Sequence, residues 1–226
     1  MRTIVARLIA DVLIVAVALF ASAGTFAWWR AWTLLAVLLI VRLVGARVVF
    51  RASPDLMLER AMPPIHGGQA MADRFLVLAV LATGFVGLPI VAGIDRFRWQ
   101  PLSSPGSVLA ALGLLLFAFG WAMKSLALRA NAFAVGAVRI QHERAHVVVD
   151  AGIYGVIRHP FYAADPLIFV GLGLWLQSYV AVLCALVPMG IVVWRLRLEE
   201  QVLRRELPGY SEYTTRVPHR LIPGVW

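Results

Sequence analysis

Two segments of the chain hold most of the side chains that could do chemistry. Residues 129–165 and 195–226 together carry four of the five histidines and most of the acidic residues. In the second segment, Arg195 and Glu199 stand four residues apart on a predicted helix, so their side chains lie on one face. A guanidinium and a carboxylate placed in this way can line a cleft that binds charged groups, or they can form a solvated surface ion pair.

The first segment contains a spacing that is typical of zinc enzymes. His142-Glu143-Arg144-Ala145-His146 matches the pattern in which two histidines on one helical face hold zinc and a glutamate activates water. Three valines follow directly at residues 147–149, and a run of β-branched residues favours extended backbone over the helix that the ligands require. A zinc protease is therefore a second candidate function rather than the first.

The composition of the chain excludes an ordinary soluble domain. Of the 226 residues, 61% are hydrophobic and only 15% are charged, and the mean hydropathy is +0.82. Globular domains are roughly half apolar and a quarter charged, so this chain lacks the polar residues to cover a water-facing surface. The composition also excludes a disordered chain and a collagen-like repeat. The single cysteine, Cys184, cannot form an internal disulfide or a thiolate cluster. The chain is expected to be an integral membrane protein.

Four apolar stretches are long enough to cross a bilayer as helices. A hydrocarbon core of about 30 Å requires about 20 mostly apolar residues, and the stretches cover approximately residues 4–23, 31–50, 75–94 and 108–128. The first is kept as a span rather than a cleaved signal peptide, because its apolar run is long and its start weakly charged. The prolines and glycines of residues 51–74 predict a loop that holds a short surface helix at about residues 55–61.

The last apolar stretch, residues 166–194, is too long for one ordinary span. The 28 residues between Pro166 and Arg195 would measure about 42 Å as one straight helix and would separate the two polar segments. A reversal at Gln177 and Ser178, its only polar interruption, instead makes a helical hairpin that brings both segments to one membrane surface. We therefore expect an all-α membrane protein with about four long transmembrane helices, residues 1–128, and a cofactor-binding region, residues 129–226, that includes the hairpin.

The positive charge of the chain is explained by membrane topology. With the N-terminus inside, 18 of the 21 basic residues fall on the cytosolic side and only Arg30, Arg96 and Arg98 fall outside, as the positive-inside rule predicts. Nucleic acid is not an expected partner, although the formal charge is +9. Twenty of the basic residues are arginine, a bias that favours a bacterial source and a cytoplasmic-membrane location.

The two polar segments contain two ordered motifs within about residues 131–226. The first consists of Arg139-Ile140-Gln141, Glu143-Arg144, His146-Val147-Val148-Val149, Gly152-Ile153-Tyr154 and Arg158-His159-Pro160-Phe161-Tyr162. The second consists of Arg195, Glu199-Glu200, Leu203, Gly209-Tyr210, Glu212-Tyr213, Arg216-Val217-Pro218 and Leu221-Ile222-Pro223-Gly224. Together they resemble the isoprenylcysteine carboxyl methyltransferase family and related phospholipid methyltransferase-like membrane enzymes.

The resemblance implies methyl transfer from S-adenosylmethionine to a lipophilic, membrane-partitioned acceptor at the cytosolic face. It implies that Arg195 faces the acceptor and that the cofactor is held by Gln141, His146, Val147, Val148, Val149, Tyr154, His159, Pro160, Tyr162 and Glu199. The chain departs from the family pattern in the shorter spacing between Gln141 and His146, and in Ala163-Ala164-Asp165 after the tyrosine.

The residue types suit a sulfonium cofactor in chemical terms. Glu199 can pair with its ammonium, His159 can serve its carboxylate or ribose, and the tyrosines can flank its adenine or attract the sulfonium. A carboxylate acceptor needs no base and can be bound by Arg195 in a fork. This is the acceptor we favour. An amine or thiol must lose a proton, and then Glu200 or His159 is a candidate base.

Two other enzyme classes remain as alternatives. A membrane reductase of the sterol type has a similar C-terminal arrangement and binds a nicotinamide cofactor, whose phosphate could be met by Arg139, Arg144, Arg158 and Arg197. A membrane zinc protease would use His142, Glu143 and His146. The sequence predicts no metal for the methyltransferase and does not identify the acceptor or the oligomeric state.

Overall fold

Every regular element of the described residues is helical. The computed structural model describes residues 2–61 and 70–226 of the chain. Its helices are α1 (Arg2–Ala23), α2 (Trp29–Ala52), α3 (Pro54–Ala61), α4 (Met71–Trp99), α5 (Ser107–Ala130), α6 (Pro160–Trp175), α7 (Tyr179–Glu206) and α8 (Tyr210–Arg216). Five of these, α1, α2, α4, α5 and α7, are long and apolar enough to cross a membrane. This confirms the expectation of an all-α integral membrane protein with four long spans and a C-terminal hairpin. Helix α3 lies where the short surface helix was predicted.

Helix α4 is continuous but not uniformly α-helical. It contains π-helical segments at Leu81–Gly87 and Asp95–Trp99 between α-helical turns. Such segments are uncommon and are often found at functional sites. In the first of them, Gly84 lies against the ring of Phe169 on α6, where a Cβ atom would be only 2.6 Å from the ring. The absent side chain allows α4 to approach the hairpin closely.

The hairpin reverses at the predicted place. Gln177 adopts a left-handed backbone with φ of 60°, and its side-chain amide donates to Pro105 O at 2.8 Å. Ser178 Oγ accepts from Ala181 N and so caps α7, while the same hydroxyl donates to Asp95 on α4 at 2.6 Å. Polar side chains therefore hold the turn against its neighbours.

The hairpin begins earlier than the expected residue 166. Helix α6 starts at Pro160, whose fixed φ suits the first helical position and whose missing N–H costs nothing there, and it continues through Pro166. The polar residues Tyr162 and Asp165, expected in the loop before the hairpin, consequently lie on the first turns of α6. Both are buried inside the helical bundle.

Helices α5 and α6 pack closely along much of their length. A Cβ atom added at Gly171 would lie 2.6 Å from Gly113 O, and one added at Gly120 would lie 3.0 Å from Ala164 O. Small residues allow membrane helices to bring their backbones together. This contact fixes α6 relative to the rest of the bundle, and with it the polar side chains of its first turns.

The chain gathers its polar segments at one end of the bundle, which we call the polar end. It comprises the starts of α1, α4 and α6, the ends of α2, α5 and α7, residues 52–61 and 131–159, and everything after α7. The two segments, separated by the hairpin, therefore meet as predicted.

Candidate functional site

Backbone pairing joins the two polar segments at the polar end. Arg158 N donates to His219 O at 2.9 Å and His159 N donates to Arg220 O at 3.0 Å. Tyr213 of α8 donates its hydroxyl to Tyr154 O at 2.7 Å. The Arg-His-Pro segment and the C-terminal signature thus form one unit.

Glu200 secures this unit from α7. Its Oε1 accepts from Arg158 Nε at 2.8 Å and lies 3.2 Å from His159 Nε2, and its Oε2 accepts from Arg220 Nε at 2.8 Å. The carboxylate is buried and is surrounded by basic groups, as a buried charge requires. The contacts connect α7 with both the start of α6 and the C-terminal tail.

Tyr162 of α6 lies between the side chains of Arg195 and Glu199, which are one turn apart on α7. The Tyr162 hydroxyl donates to Glu199 Oε2 and accepts from Arg195 Nη1. Arg195 also donates from Nε to Asp73 Oδ1 on α4 at 2.8 Å, and from Nη2 to Gly136 O at 2.7 Å. The predicted shared face of Arg195 and Glu199 is confirmed, but a tyrosine stands between their charged groups.

The side chains of this network line a cavity of about 640 Å³. At the polar end its walls include residues 146–149, Tyr154, His159, Tyr210 and Tyr213. At the other extreme they include Ile14 of α1 and Leu78 of α4, which are 51% and 45% exposed on the apolar outer surface of the bundle. The cavity therefore connects the polar end with a bilayer-facing surface between α1 and α4.

Residues 131–159, which join α5 to α6 and which we call the covering segment, fold over the cavity and are held there by side-chain contacts. The ring of His146 stacks on that of Phe133, with centroids 4.4 Å apart. Gln141 is fully buried; its Nε2 donates to Phe133 O at 2.7 Å, and its Oε1 accepts from Arg144 at 2.7 Å. These contacts hold residues 146–149 along the cavity wall.

Three titratable groups of this wall, His146, Tyr154 and Tyr213, are held neutral by their surroundings. Burial lowers the pKa of His146, with Arg144 and other nearby basic groups acting in the same direction against the opposing effect of Glu199. Burial also raises the pKa of Tyr154, and it raises that of Tyr213 to about 12. At neutral pH this part of the wall carries hydrogen-bonding groups without added positive charge.

The structure brings most of the predicted site residues together. Nine of them line the cavity: His146, Val147, Val148, Val149, Tyr154, His159, Tyr162, Arg195 and Glu199. Three others lie behind it. Gln141 organises the covering segment, Pro160 starts α6, and Glu200 contacts Arg158, His159 and Arg220.

The zinc-like spacing does not lie on an α-helix. His142–Arg144 form a single 3-10 turn and Ala145 is left-handed, with φ of 48°. Glu143 accepts from Arg139 at 2.5 Å. Within residues 2–61 and 70–226, no group of three or more histidine, cysteine or acidic side chains is arranged to hold a metal.

Several residues of the site are not predicted from the sequence. Asp73, which anchors Arg195, lies in the first turn of an apolar helix, and its charge at that position was the available signal. Tyr210 and Tyr213 stood inside the C-terminal signature but had been assigned no role. Phe133 gave no signal, because an aromatic residue in a loop has many ordinary explanations.

The fold and cavity place the chain among helical membrane proteins that open both to the lipid and to one aqueous side. A sequence model of the phospholipid methyltransferase family matches residues 108–208, which cover nearly all of α5, the segment between α5 and α6, and the whole hairpin. No curated protein matches the sequence. Among solved structures, the eukaryotic intramembrane Ras methyltransferase ICMT, an isoprenylcysteine carboxyl methyltransferase, matches with a TM-score of 0.56 and 17% identity. The match covers 94% of this chain and 73% of that one.

Both comparisons agree with the resemblance found in the motifs. The chain has the fold of an intramembrane methyltransferase over nearly its whole length. Its sequence matches the phospholipid methyltransferase model over α5, the segment between α5 and α6, and the hairpin, which build part of the cavity wall. The resemblance stated from the two motifs is thus confirmed by a family-model match over part of the chain and by the fold.

Proposed function

We propose that the protein is an S-adenosylmethionine-dependent methyltransferase whose acceptor is a lipophilic carboxylate. The observation that carries the proposal is the continuous cavity, since it joins polar side chains suited to a water-soluble cofactor with a surface that faces lipid. The family match over residues 108–208 supports the reaction class.

The residues at the polar end fit this cofactor. Glu199 offers a carboxylate for the ammonium group, and the backbone of residues 147–149 is free of secondary structure and can pair with polar groups. Tyr210 is buried against the cavity, and its hydroxyl has no hydrogen-bond partner among the described residues. A buried hydroxyl without a partner is costly, and a ligand that hydrogen-bonds there would remove that cost. When bound, the cofactor supplies an electrophilic methyl group on a sulfonium.

The chain's own contribution is positioning. Asp73, Gly136 and Tyr162 fix the Arg195 guanidinium, and Tyr162 in turn fixes the Glu199 carboxylate. Methyl transfer needs alignment of nucleophile, methyl and leaving group, and alignment alone provides a large part of a rate enhancement. The fixed network is suited to that task.

The hydrogen bonds that Glu200 accepts favour an acceptor that does not have to lose a proton. Both of its oxygens are engaged by basic side chains, so it is poorly placed to remove a proton from an amine or thiol. A carboxylate acceptor is already a nucleophile at neutral pH. The same contacts make Glu200 a positioning residue for His159.

The orientation in the membrane follows from the charges. The polar end carries all but three of the basic residues, and the positive-inside rule assigns such an end to the cytosol. We therefore infer that the cofactor reaches the cavity from the cytosol, and that the protein resides in the cytoplasmic membrane of a bacterium.

Cofactor binding by the purified protein in nanodiscs tests the proposal. Isothermal titration is expected to give saturable binding of S-adenosylmethionine that is lost in Glu199→Ala and in His159→Ala. Glu206→Ala, at an exposed position later on the same helix, should bind as the unmodified protein does. Absence of binding, with tight uptake of NADPH or zinc instead, would exclude a methyltransferase and favour one of the alternatives.

The acceptor can then be sought directly. Native membranes incubated with the protein and methyl-labelled cofactor are extracted with organic solvent. Label in the lipid fraction that base hydrolysis releases as methanol indicates a carboxyl ester. Label that resists base indicates methylation at nitrogen or sulfur and contradicts the carboxylate assignment.

A further inference from the structure

Among the described residues, every arginine and lysine side chain that lines the cavity has a carboxylate partner, with one exception. Seven arginine and lysine side chains line the cavity, and six of them have a carboxylate within salt-bridge distance. The pairs are Arg7–Asp11 at 3.1 Å, Arg42–Asp11 at 2.7 Å, Lys124–Asp165 at 2.8 Å, Arg139–Glu59 at 3.4 Å, Arg158–Glu200 at 2.8 Å and Arg195–Asp73 at 2.8 Å.

The exception is Arg60 in the last turn of α3. Its Nη1 donates to Ala134 O at 2.5 Å, and its guanidinium lies 4.7 Å from the centre of the Phe161 ring. Within residues 2–61 and 70–226 it forms no salt bridge. The rest of the chain, Met1 and residues 62–69, contains neither aspartate nor glutamate, so no acidic side chain from there can serve as its partner.

Arg60 is also partly buried and lies near other cations. Burial, together with the nearby charge of Arg195, lowers the pKa of its guanidinium to about 10, so it still carries its charge at neutral pH. A buried charge without a counter-charge is unfavourable. An anion placed in the cavity beside Arg60 would remove this penalty and gain charge-assisted hydrogen bonds.

The position of Arg60 suits an acceptor rather than the cofactor. Phe161, over which it lies, also carries Lys124 at 3.7 Å from the ring centre, and Arg60, Lys124 and Phe161 all line the cavity. Arg195, the predicted receiver of the acceptor, already donates from all three of its nitrogens. Its charge is also compensated by Asp73. Among the described residues that line the cavity, Arg60 is the cation without a carboxylate partner.

We propose that Arg60 receives the anionic headgroup of a lipid-like acceptor, a carboxylate or a phosphate, whose hydrocarbon chain lies in the apolar part of the cavity. The proposal names the acceptor of the methyl transfer proposed above and rests on it in that respect. It transfers the acceptor-binding role from Arg195 to a residue of α3 and leaves Arg195 as a positioning residue.

Competition between single-chain amphiphiles tests this assignment. The protein in phosphatidylcholine nanodiscs is photolabelled with a sixteen-carbon diazirine fatty acid, and the labelled cavity peptides are quantified by mass spectrometry. The competitors are hexadecanoate, hexadecyl phosphate and hexadecanol, which differ only in the headgroup. Measurements are made at about pH 8.5, so that a carboxyl whose pKa is raised by apolar surroundings is still ionised.

We expect at least one of the two anions to displace the probe at about tenfold lower mole fraction than the alcohol, as a charge-assisted hydrogen bond provides. Their ranking distinguishes a carboxylate from a phosphate headgroup. Arg60→Gln should abolish the preference and Arg60→Lys should retain much of it. Arg51→Gln removes an exposed arginine near the end of α2 and should behave as the unmodified protein.

Equal displacement by acid, phosphate and alcohol in the unmodified protein would overturn the assignment, and so would an anion preference that survives Arg60→Gln. Titration of Arg60→Gln with S-adenosylmethionine is expected to give unchanged affinity, which shows that the variant is folded. The two proposals fail separately: lack of cofactor binding by the unmodified protein contradicts the methyltransferase, whereas lack of a headgroup preference contradicts only the role of Arg60.

Discussion

Tyr162 is the residue on which the candidate site depends most directly. Its hydroxyl donates to one charged group and accepts from the other, so it sets the separation between Glu199 and Arg195. A direct ion pair between two residues four apart on α7 would have neutralised both and closed the cavity between them. With the tyrosine in place, the carboxylate keeps one oxygen available to a ligand.

Replacing Tyr162 by phenylalanine is expected to weaken binding of S-adenosylmethionine about tenfold, because hydrogen bonds to charged groups are lost and Glu199 is no longer fixed. Isothermal titration in nanodiscs measures the change. Tyr179→Phe, at the opposite end of the bundle, is the matched control and should have no effect. Unchanged affinity in Tyr162→Phe would show that the bridge does not position the cofactor-binding group.

Protonation of His146 is expected to make cofactor binding depend on pH. Its pKa lies below the usual value of about 6.5, so the imidazole is neutral at pH 7 and becomes a cation only as the pH falls below that range. A cation there repels a ligand that carries sulfonium and ammonium groups. Affinity measured by titration should be constant above pH 7 and fall as the pH decreases below about 6.5.

The variant His146→Gln provides the check on this assignment. It keeps a polar side chain but cannot gain the charge, so its affinity should change less across the same pH range. A decrease of equal size in the variant would assign the pH dependence to another group.

For individual residues, the sequence predicted most of the side chains that line the cavity, but it did not predict which charged side chains are paired. Nine predicted residues line the cavity, since motif residues of known types lie on two segments that the hairpin brings together. The partner of Arg195 could not be predicted, because Asp73 lies 122 positions away along the chain and only the packing of α4 on α7 brings it close. The lack of a carboxylate partner for Arg60 among the described residues likewise depends on every side chain packed around it, so it could not be predicted from the sequence.

Among the helices, the contact between α5 and α6 supports the site. The first turns of α6 carry Tyr162 and Asp165, and the glycines along the interface set how near those turns come to Lys124 on α5. The sequence predicted the reversal at Gln177, where a polar pair interrupts an apolar stretch. It did not predict that α6 begins at Pro160, because polar side chains at the start of a helix look like loop residues until their buried partners are known.

Gly171→Val is expected to destabilise the protein by about 1–3 kcal/mol, because the added side chain overlaps the backbone of α5. The measurement is the thermal unfolding temperature in detergent, followed by intrinsic fluorescence. Gly190→Ala on α7 is the control, since its Cβ meets nothing within 4 Å and alanine favours helix. The assignment of a tight α5–α6 contact would be wrong if both variants unfolded at the temperature of the unmodified protein.

Over the whole molecule, the distribution of charge determines how the helices are oriented. The polar end gathers nearly all of the arginines as well as the predicted site residues, while the opposite end carries short connections. A bundle of this kind exposes its polar end to only one aqueous compartment, which the proposed function assigns to the cytosol.

Single cysteines report this orientation. In a Cys184→Ser background, Ser103→Cys in the α4–α5 connection should react with a membrane-impermeant maleimide in intact cells. Ser211→Cys near the polar end should react only after the membrane is permeabilised, and both positions are exposed. The opposite pattern of labelling would place the polar end outside the cell.

The opening of the cavity between α1 and α4 has a kinetic consequence. In the proposed reaction, the cofactor arrives by diffusion in three dimensions from water, whereas the acceptor arrives by diffusion within the plane of the bilayer. The relevant concentration of the second is its mole fraction in the membrane, and its amount per litre of suspension has no direct meaning. Adding inert lipid at constant acceptor should slow turnover by surface dilution, while adding buffer at constant membrane composition and constant cofactor concentration should leave the rate per enzyme unchanged.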